Sequence, residues 1–312
     1  MISVVVSTFD RPERLTRLLA GLRVQQLSAE QFEVIIVDNG SAPATGAALE
    51  RERELGHLQL RTIRHQTTLG PAGGRNSGWR CARAPLVAFT DDDCVPDPAW
   101  LRAGLAAAIG RPGAIIQGRT EPDPRELGGD LLLSRTVSVS RLGPQYETCN
   151  IFYPRRVLES LGGFDERFGL RPAGEDTDLA WRALECGYEA TFAPAALVYH
   201  AVQRLGMIGT LRDATRWGAC ARLFAVHPQT RAILHRRLFW NVWHFLLLRS
   251  ALALLAPPWL RRLVLTRHAL SLRARGRRAG AGSWSVPFLL LHDAIETAAI
   301  LRGALRHRTV VL

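Results

Sequence analysis

Three consecutive aspartates, Asp91, Asp92 and Asp93, directly follow an apolar run, residues 86–89, that predicts a short buried strand. Neighbouring carboxylates repel one another, so a fold keeps such a cluster where a cation neutralises it. A hard divalent metal ion with oxygen ligands is the usual candidate. Residues two apart in an extended segment point the same way, which makes Asp91 and Asp93 a pair. The structural alternative is a solvated acidic turn that caps the next helix.

A second group of acids, Glu175, Asp176 and Asp178, opens a segment whose apolar residues recur at helical spacing. Helix capping and the helix dipole account for one or two acids in a first turn, and three exceed that need. Because the apolar side of this helix must pack on the core, we expect the acids to face the crevice that holds the aspartate cluster.

Polar residues also end two other predicted strands: Ser7 and Thr8 end the first, and Asp38 follows the second. The carboxyl ends of strands in an open α/β sheet border the ligand crevice. There Asp38 could accept a hydrogen bond from a ribose hydroxyl or a base N–H, although an Asp before Asn-Gly also commonly forms a turn. His200 ends a later β-like run, and a lone histidine of this kind is a structural residue or a ligand.

A glycine-rich segment, Gly70 to Gly74, precedes Arg75 and a predicted helix. Glycine lets a backbone approach a ligand closely, and the N-terminus of a helix favours anions. The spacing matches neither a Walker loop nor the dinucleotide-binding fingerprint, so this segment alone is a weak indication of phosphate binding.

Strands and helices alternate along the first half of the chain. The predicted strands are Ile2–Ser7, Phe32–Val37, Leu58–Arg64 and Leu86–Phe89, and the predicted helices are Arg11–Leu22, Ala44–Leu55 and Arg75–Ala84. Strands joined by helical crossovers pair in parallel, so this order predicts an α/β fold with a mostly parallel, doubly wound sheet.

Charge divides the 312-residue chain into two parts. Residues 1–205 carry 23 Arg and 25 acids, a net charge of −2, whereas residues 206–312 carry 17 Arg and 3 acids, a net charge of +14. The division predicts a domain at 1–205 and a helical region at 206–312, and the basic region favours an anionic partner surface.

Five scattered cysteines without a CxxC pair indicate neither zinc nor disulfides and favour a reducing cytosol. The first residues resemble a strand rather than a signal peptide.

The segment Leu238–Ala256 is almost as long as the roughly 20 residues that span a bilayer. However, Arg249 lies near its middle, where an arginine costs roughly 2.5–3.5 kcal/mol on insertion scales. The residue order predicts an amphipathic helix, with Trp240 and Trp243 suited to a membrane interface, that lies in the membrane surface. The alternative is a helical cap whose apolar faces pack on the N-terminal domain.

Taken together and in order, these motifs resemble the family-2 inverting glycosyltransferases of the GT-A fold, a resemblance that covers about two-thirds of the chain and not residues 206–312. The carrying segments are residues 4–8 with Arg11, 37–41, 70–78, 89–93, 149–150, 162–165, 175–179 and 187–188, and His200. The resemblance implies a Rossmann-like sheet of the GT-A type and the transfer of a sugar from a nucleotide-sugar to a hydroxyl acceptor.

The resemblance also implies residue roles. The donor-binding set would be Ser7, Thr8, Arg11, Asp38, Arg75, Asp91 and Asp92. Asp93 would hold Mg²⁺ or Mn²⁺ together with Asp91, and His200 would complete the metal site. Asp176 matches the carboxylate that acts as catalytic base, and Glu175 or Asp178 could share that role.

A UDP-sugar is the donor that the resemblance favours, with dTDP- and GDP-sugars as alternatives. The acceptor would be a glycan or a lipid-linked molecule of the cell envelope, and the chain would sit in the cytoplasm, peripherally on the inner face of the membrane.

Two other functions fit parts of the sequence. The basic tail is compatible with nucleic-acid binding, but the chain contains no recognised nucleic-acid motif, so we expect no nucleic-acid partner. The second alternative is that the chain is a homologue that binds a nucleotide-sugar without catalysing transfer.

Overall fold

The computed structural model describes residues 1–129, 131–171 and 173–312. Its strands are β1 (Ile2–Thr8), β2 (Phe32–Asp38), β3 (Leu60–Arg64), β4 (Leu86–Thr90), β5 (Cys94–Pro96), β6 (Ile115–Pro122), β7 (Ser134–Arg135), β8 (Asn150–Pro154), β9 (Ala190–His200) and β10 (Gln203–Arg204). Its helices are α1 (Pro12–Arg23), α2 (Pro43–Leu55), α3 (Gly70–Arg80), α4 (Trp100–Ala108), α5 (Arg155–Leu161), α6 (Glu175–Glu185), α7 (Gly206–Ala214), α8 (Ala221–Val226), α9 (Val242–Ala253), α10 (Pro258–Arg278) and α11 (Ser285–Arg306).

These elements form two compact units. The N-terminal unit comprises residues 1–127 and 136–202, and the C-terminal unit comprises residues 128–135 and 203–312. The short segment 128–135 belongs to the C-terminal unit because β7 pairs with β10 in an antiparallel ribbon. The distribution of charge along the sequence could not predict that this segment belongs to the C-terminal unit, because the β7–β10 pairing joins strands that are far apart in the chain.

One eight-stranded sheet, in the order β3-β2-β1-β4-β8-β6-β9-β5, is the centre of the N-terminal unit. The strands β3, β2, β1 and β4 run parallel, and so do β6 and β9, whereas β8 and β5 run antiparallel to their neighbours. The predicted α/β fold with a mostly parallel sheet is therefore confirmed. Strands β2 and β4 are buried along their whole length, which explains why they are nearly continuous apolar runs.

Helices cover both faces of this sheet. Four leucines of α1, at positions 15, 18, 19 and 22, pack with Val4 and Val6 of β1 on one face. Val5 points to the other face, where it packs with Phe89 of β4 and with Trp79 of α3. The spacing of the α1 leucines matches one helical face, and Pro12 at the start of α1 lacks the N–H that a first helical residue leaves unbonded.

The C-terminal unit is mainly helical, and it corrects one expectation. Helix α9 starts at Val242 rather than near Leu238, because the Asn241 side chain accepts hydrogen bonds from the N–H groups of Trp243 and His244 and so caps the helix. Polar and apolar side chains are mixed around α9, so the amphipathic pattern expected for residues 238–256 is absent there.

The two tryptophans predicted for a membrane interface pack within the C-terminal unit instead. The ring of Trp240 lies 5.1 Å from that of Trp217, and Arg275 lies 4.7 Å from the centre of the Trp243 ring. Within the described residues, every helix is too short or too polar to span a bilayer.

Candidate active site

The carboxyl ends of β1, β2 and β4 meet at one edge of the sheet. Thr8 at the end of β1 is in register with Asp38 at the end of β2, and the aspartate cluster follows β4 directly. The Thr8 hydroxyl donates a 2.8 Å hydrogen bond to Asp92 Oδ2. Residues far apart in the chain therefore form one polar edge, as the strand order predicted.

Arg11 lies over the second and third aspartates of the cluster. Its Nη1 donates to Asp92 Oδ1 at 3.0 Å and to Asp93 Oδ2 at 2.9 Å. Burial raises the pKa of Asp92 to about 6; the Arg11 guanidinium opposes this rise and the Asp93 carboxylate adds to it. Asp92, held by Arg11 and Thr8, therefore joins the end of β1 to the turn after β4.

Arg75 bridges the two acidic groups found in the sequence. Its Nη2 donates to Asp91 Oδ1 at 2.8 Å, and its Nη1 donates to Glu175 Oε1 at 3.1 Å. Burial alone would lower the pKa of Arg75, but the carboxylates of Asp91 and Glu175, with a further contribution from Asp176, raise it above its usual value. Burial alone would raise the pKa of Asp91. The positive charge of Arg75, with a smaller contribution from His200, outweighs burial and holds the pKa of Asp91 below its usual range.

The side chains of Asp93 and His200 fit a cation. The Nδ1 atom of His200 lies 2.8 Å from the carbonyl oxygen of Ala201, which can only accept, so Nδ1 carries the hydrogen. The Nε2 atom of a neutral ring then presents a lone pair 3.6 Å from Asp93 Oδ1, another acceptor. A cation bound by both acceptors would offset their repulsion, and a carboxylate with an imidazole is a common ligand pair for divalent metals.

Asp91, the other aspartate predicted to bind the metal, lies outside the group of atoms that could hold an ion. At this edge of the sheet, the group of atoms within 4.8 Å of one another that could hold an ion belongs to Asp93, Cys94 and His200. Asp91 is outside this group and is held by Arg75. Burial raises the pKa of the Cys94 thiol well above its usual value, so at neutral pH Cys94 is a neutral, poor ligand.

Asp38 offers a hydrogen-bond acceptor at the end of β2. Its Oδ1 accepts a hydrogen bond from the N–H of Ser41 at 2.9 Å. This bond closes the turn that an Asp before Asn-Gly commonly forms. Its Oδ2 is buried and accepts no hydrogen bond from any described residue, although Arg64 Nη1 lies 3.4 Å away. A buried carboxylate oxygen without a hydrogen bond is costly, so this atom is suited to a ligand hydroxyl or N–H.

The acids at the start of α6 have three different environments. Glu175 is bonded to Arg75, and Asp178 forms a 2.9 Å ion pair with Arg182 one turn later in α6. Asp176 accepts a hydrogen bond from the N–H of Thr177 and has no ion pair with any described residue. Burial raises the pKa of Asp176 to about 8, and the Glu175 carboxylate adds to this rise. A carboxylate with a pKa near neutrality suits a general base.

Sequence inspection missed one acid of this site, Glu147. Burial raises the pKa of its side chain, and its charge contributes to the raised pKa of Asp176. Glu147 lies in a loop before β8 and belongs to no motif, so only the fold places it near the start of α6.

Two glycines of α3, Gly74 and Gly78, allow the helix to pack closely on β1. A Cβ atom on Gly74 would overlap the Ser7 hydroxyl, and a Cβ on Gly78 would overlap Val5. Helix α3 therefore lies directly against β1, and this close approach brings Arg75 to the aspartate cluster.

Known proteins share this sequence pattern and fold. The model of Glycosyl transferase family 2 matches residues 3–156, and that of Glycosyl transferase family group 2 matches residues 136–277. The pre-mycofactocin glycosyltransferase of Mycobacterium tuberculosis is 28% identical over 246 residues, which cover 75% of this chain and 49% of that protein. The chain spans about half the length of this relative and of the validoxylamine A glucosyltransferase of Streptomyces hygroscopicus.

Two solved structures share the fold. One is the mannosyltransferase PcManGT from Pyrobaculum calidifontis in complex with GDP-Man and Mn²⁺, with a TM-score of 0.66 and 20% identity over 97% of this chain and 86% of that one. The other is TarS 1-349 from S. aureus in complex with UDP-GlcNAc, with a TM-score of 0.55 and 17% identity over 99% of this chain and 92% of that one. The chain has the GT-A fold, and since the two family models together cover residues 3–277 without a gap, it belongs to glycosyltransferase family 2.

Proposed function

We propose that this chain is a metal-dependent inverting glycosyltransferase that moves a sugar from a nucleotide-sugar to a hydroxyl acceptor. The observation that carries the proposal is an imbalance of charge. Four carboxylates, those of Asp91, Asp92, Asp93 and Glu175, surround the two guanidinium groups of Arg11 and Arg75, and Asp176 adds a further negative charge when it ionises. Such a site attracts a divalent cation, and with the cation it can accept a diphosphate.

Asp93 and His200 are the residues that would hold Mg²⁺ or Mn²⁺, with Asp91 oriented by Arg75 beside them. When bound, the metal neutralises charge on the leaving nucleoside diphosphate. The Mn²⁺ complex of PcManGT supports a metal in this fold. The unbonded oxygen of Asp38 would accept from the nucleoside, and Ser7, Thr8 and Arg11 border the same edge.

Asp176 would take the proton of the acceptor hydroxyl. General-base catalysis needs a group whose pKa lies near the working pH and whose ionised form is not already paired with a cation. Glu175 and Asp178 are bound to arginines, whereas Asp176 accepts from the N–H and, at 3.5 Å, the hydroxyl of Thr177 and pairs with no arginine of the described residues. Glu175 then supports catalysis indirectly, because it holds Arg75 in place.

A UDP-sugar is the donor we favour. The GDP-Man and UDP-GlcNAc complexes of the structural neighbours support a nucleotide-sugar donor. GDP- and dTDP-sugars are the alternatives that the sequence resemblance implies. We propose a glycan or lipid-linked acceptor of the cell envelope. The basic C-terminal unit would bind the anionic inner face of the cytoplasmic membrane, which would bring the enzyme to such an acceptor.

A thermal-shift screen of UDP, GDP and dTDP, each with and without Mn²⁺, tests the proposal. A ligand at about 100 times its Kd stabilises a protein by about 2.7 kcal/mol, a shift of several degrees. We expect one nucleotide to raise the Tm strongly and only with the metal. Equal Tm values with every nucleotide, with and without Mn²⁺, would contradict the proposed donor site.

A further inference from the structure

The connection between α9 and α10 exposes an unusual group of large apolar residues. We define the α9–α10 corner as residues 252–270. Leu255 is 90% exposed and Trp259 is 69% exposed, and Leu252 and Leu254 are also largely exposed. A side chain exposed to this degree projects from the surface, so it does not line a groove.

Helix α10 continues the same surface. At 100° per residue, Trp259, Leu263 and Leu270 fall on one stripe, on the opposite side from the buried His268. The exposed side of the first half of α10 therefore carries an apolar stripe that only Thr266 interrupts, which differs from the usual polar outer face of a helix.

The charges around this corner have one sign. Arg261, Arg262 and Arg267 are exposed beside the apolar stripe, and residues 214–292 contain neither Asp nor Glu. Interface cores between proteins are depleted of charge, whereas helices that lie in a membrane combine Trp and Leu with flanking arginines. A projecting apolar corner in a stretch of the sequence whose charged residues are all arginines fits a bilayer with anionic headgroups.

We propose that the α9–α10 corner inserts into the surface of an anionic phospholipid bilayer, with Leu255 and Trp259 among the acyl chains and the arginines at the headgroups. The inference rests on the membrane association proposed above and identifies the residues that make it. It replaces Trp240 and Trp243, which pack within the C-terminal unit, as the candidate membrane contacts.

Flotation with vesicles tests this assignment. The corner variant carries Leu255→Glu and Trp259→Glu, and the control carries Val24→Glu and Ile109→Glu, two exposed apolar residues of the N-terminal unit. Both variants change the net charge by the same amount. With mixed phosphatidylglycerol–phosphatidylcholine vesicles, we expect the corner variant to bind at least about tenfold more weakly than wild type, which corresponds to a loss of roughly 1.4 kcal/mol or more. The control should bind like wild type.

Two further measurements complete the test. Arg261→Gln and Arg262→Gln should each weaken binding about fivefold, as about 1 kcal/mol per basic residue implies, and pure phosphatidylcholine vesicles should bind poorly. Brominated lipids should quench tryptophan fluorescence less in Trp259→Phe than in wild type, because insertion brings this ring to the acyl chains.

Several results would overturn the inference: equal flotation of the corner variant and wild type, equal quenching in Trp259→Phe, or a wild-type chain that binds no vesicle and associates with itself through the corner. Nucleotide binding, measured on the same variants without lipid, is a separate readout. If it is absent in all of them, the proposed donor site fails while the vesicle result still decides the membrane contact.

Discussion

At the scale of single residues, the middle and last aspartates of the cluster have different partners. Both are buried and both accept a hydrogen bond from Arg11, but Asp92 also accepts from Thr8, whereas Asp93 also faces His200 across a gap between two acceptors. This difference separates a residue that stabilises the fold from one that is suited to a metal.

We therefore expect Asp93→Ala to abolish the Mn²⁺-dependent part of nucleoside diphosphate binding. Asp92→Ala should keep that part but lower the stability by about 1–3 kcal/mol, because Thr8 and Arg11 lose a buried partner. Titration calorimetry with and without Mn²⁺, with Tm values for both variants, measures the two effects. Metal-enhanced binding that persists in Asp93→Ala would show that the metal ligands lie elsewhere.

Asp176→Asn should reduce transfer by about 10²–10⁴-fold while leaving nucleotide affinity nearly unchanged, since the amide has the size of the acid but cannot take a proton. Glu175→Gln and Asp178→Asn are the matched controls and should be milder. Initial rates and nucleotide affinities for the three variants decide the assignment. An inactive Asp178→Asn beside an active Asp176→Asn would move the base to the other residue.

The raised pKa of Asp176 gives a pH prediction. The free enzyme needs this group ionised, so kcat/KM should rise with pH and level off above about 8. For stability, the folded pKa of about 8 lies above the unfolded value near 3.9, so the folded state holds a proton that the unfolded state has released. The contribution of Asp176 to stability must fall as the pH rises from about 4 to 8.

Melting curves without metal check this sign. The Tm of Asp176→Asn, compared with wild type, should increase between pH 5 and 8 and then stay constant. A constant difference over that range would mean that the pKa of Asp176 is not raised.

At the scale of elements, the approach of α3 to β1 positions Arg75. Gly78→Ala should destabilise the fold, because the new methyl group would overlap Val5 in the core. Gly46→Ala is a matched control in α2, where the added Cβ meets only the flexible end of Arg64 and should stabilise by about 0.4–1 kcal/mol. Opposite changes in Tm are expected, and equal changes would contradict the packing argument.

At the scale of the whole molecule, the net charges of −2 and +14 on the two parts of the chain predict a salt-dependent interaction with anionic membranes. Binding to anionic vesicles should weaken as salt rises, and alkaline carbonate should release the protein, since the described helices are too short or too polar to span. Protein retained after carbonate treatment would contradict a peripheral attachment.

The sequence by itself determined the order of strands and helices over residues 2–89 and the approximate positions of the strand-end acids. Periodicity and turn residues are local signals, and the parallel topology follows from alternating elements. For this reason Asp38 and Asp91 could be expected at one edge before the structure was known.

Only the tertiary structure decided which charges meet. Arg11 pairs with acids 81 and 82 positions away, and Arg75 pairs with Glu175 across 100 positions. The proximity of Glu147 to Asp176 and the start of α9 at Asn241 likewise depend on contacts within the folded units. Composition cannot specify such pairings, because an ion pair, a raised pKa or an exposed corner depends on how the packed core orients side chains that are distant in the chain.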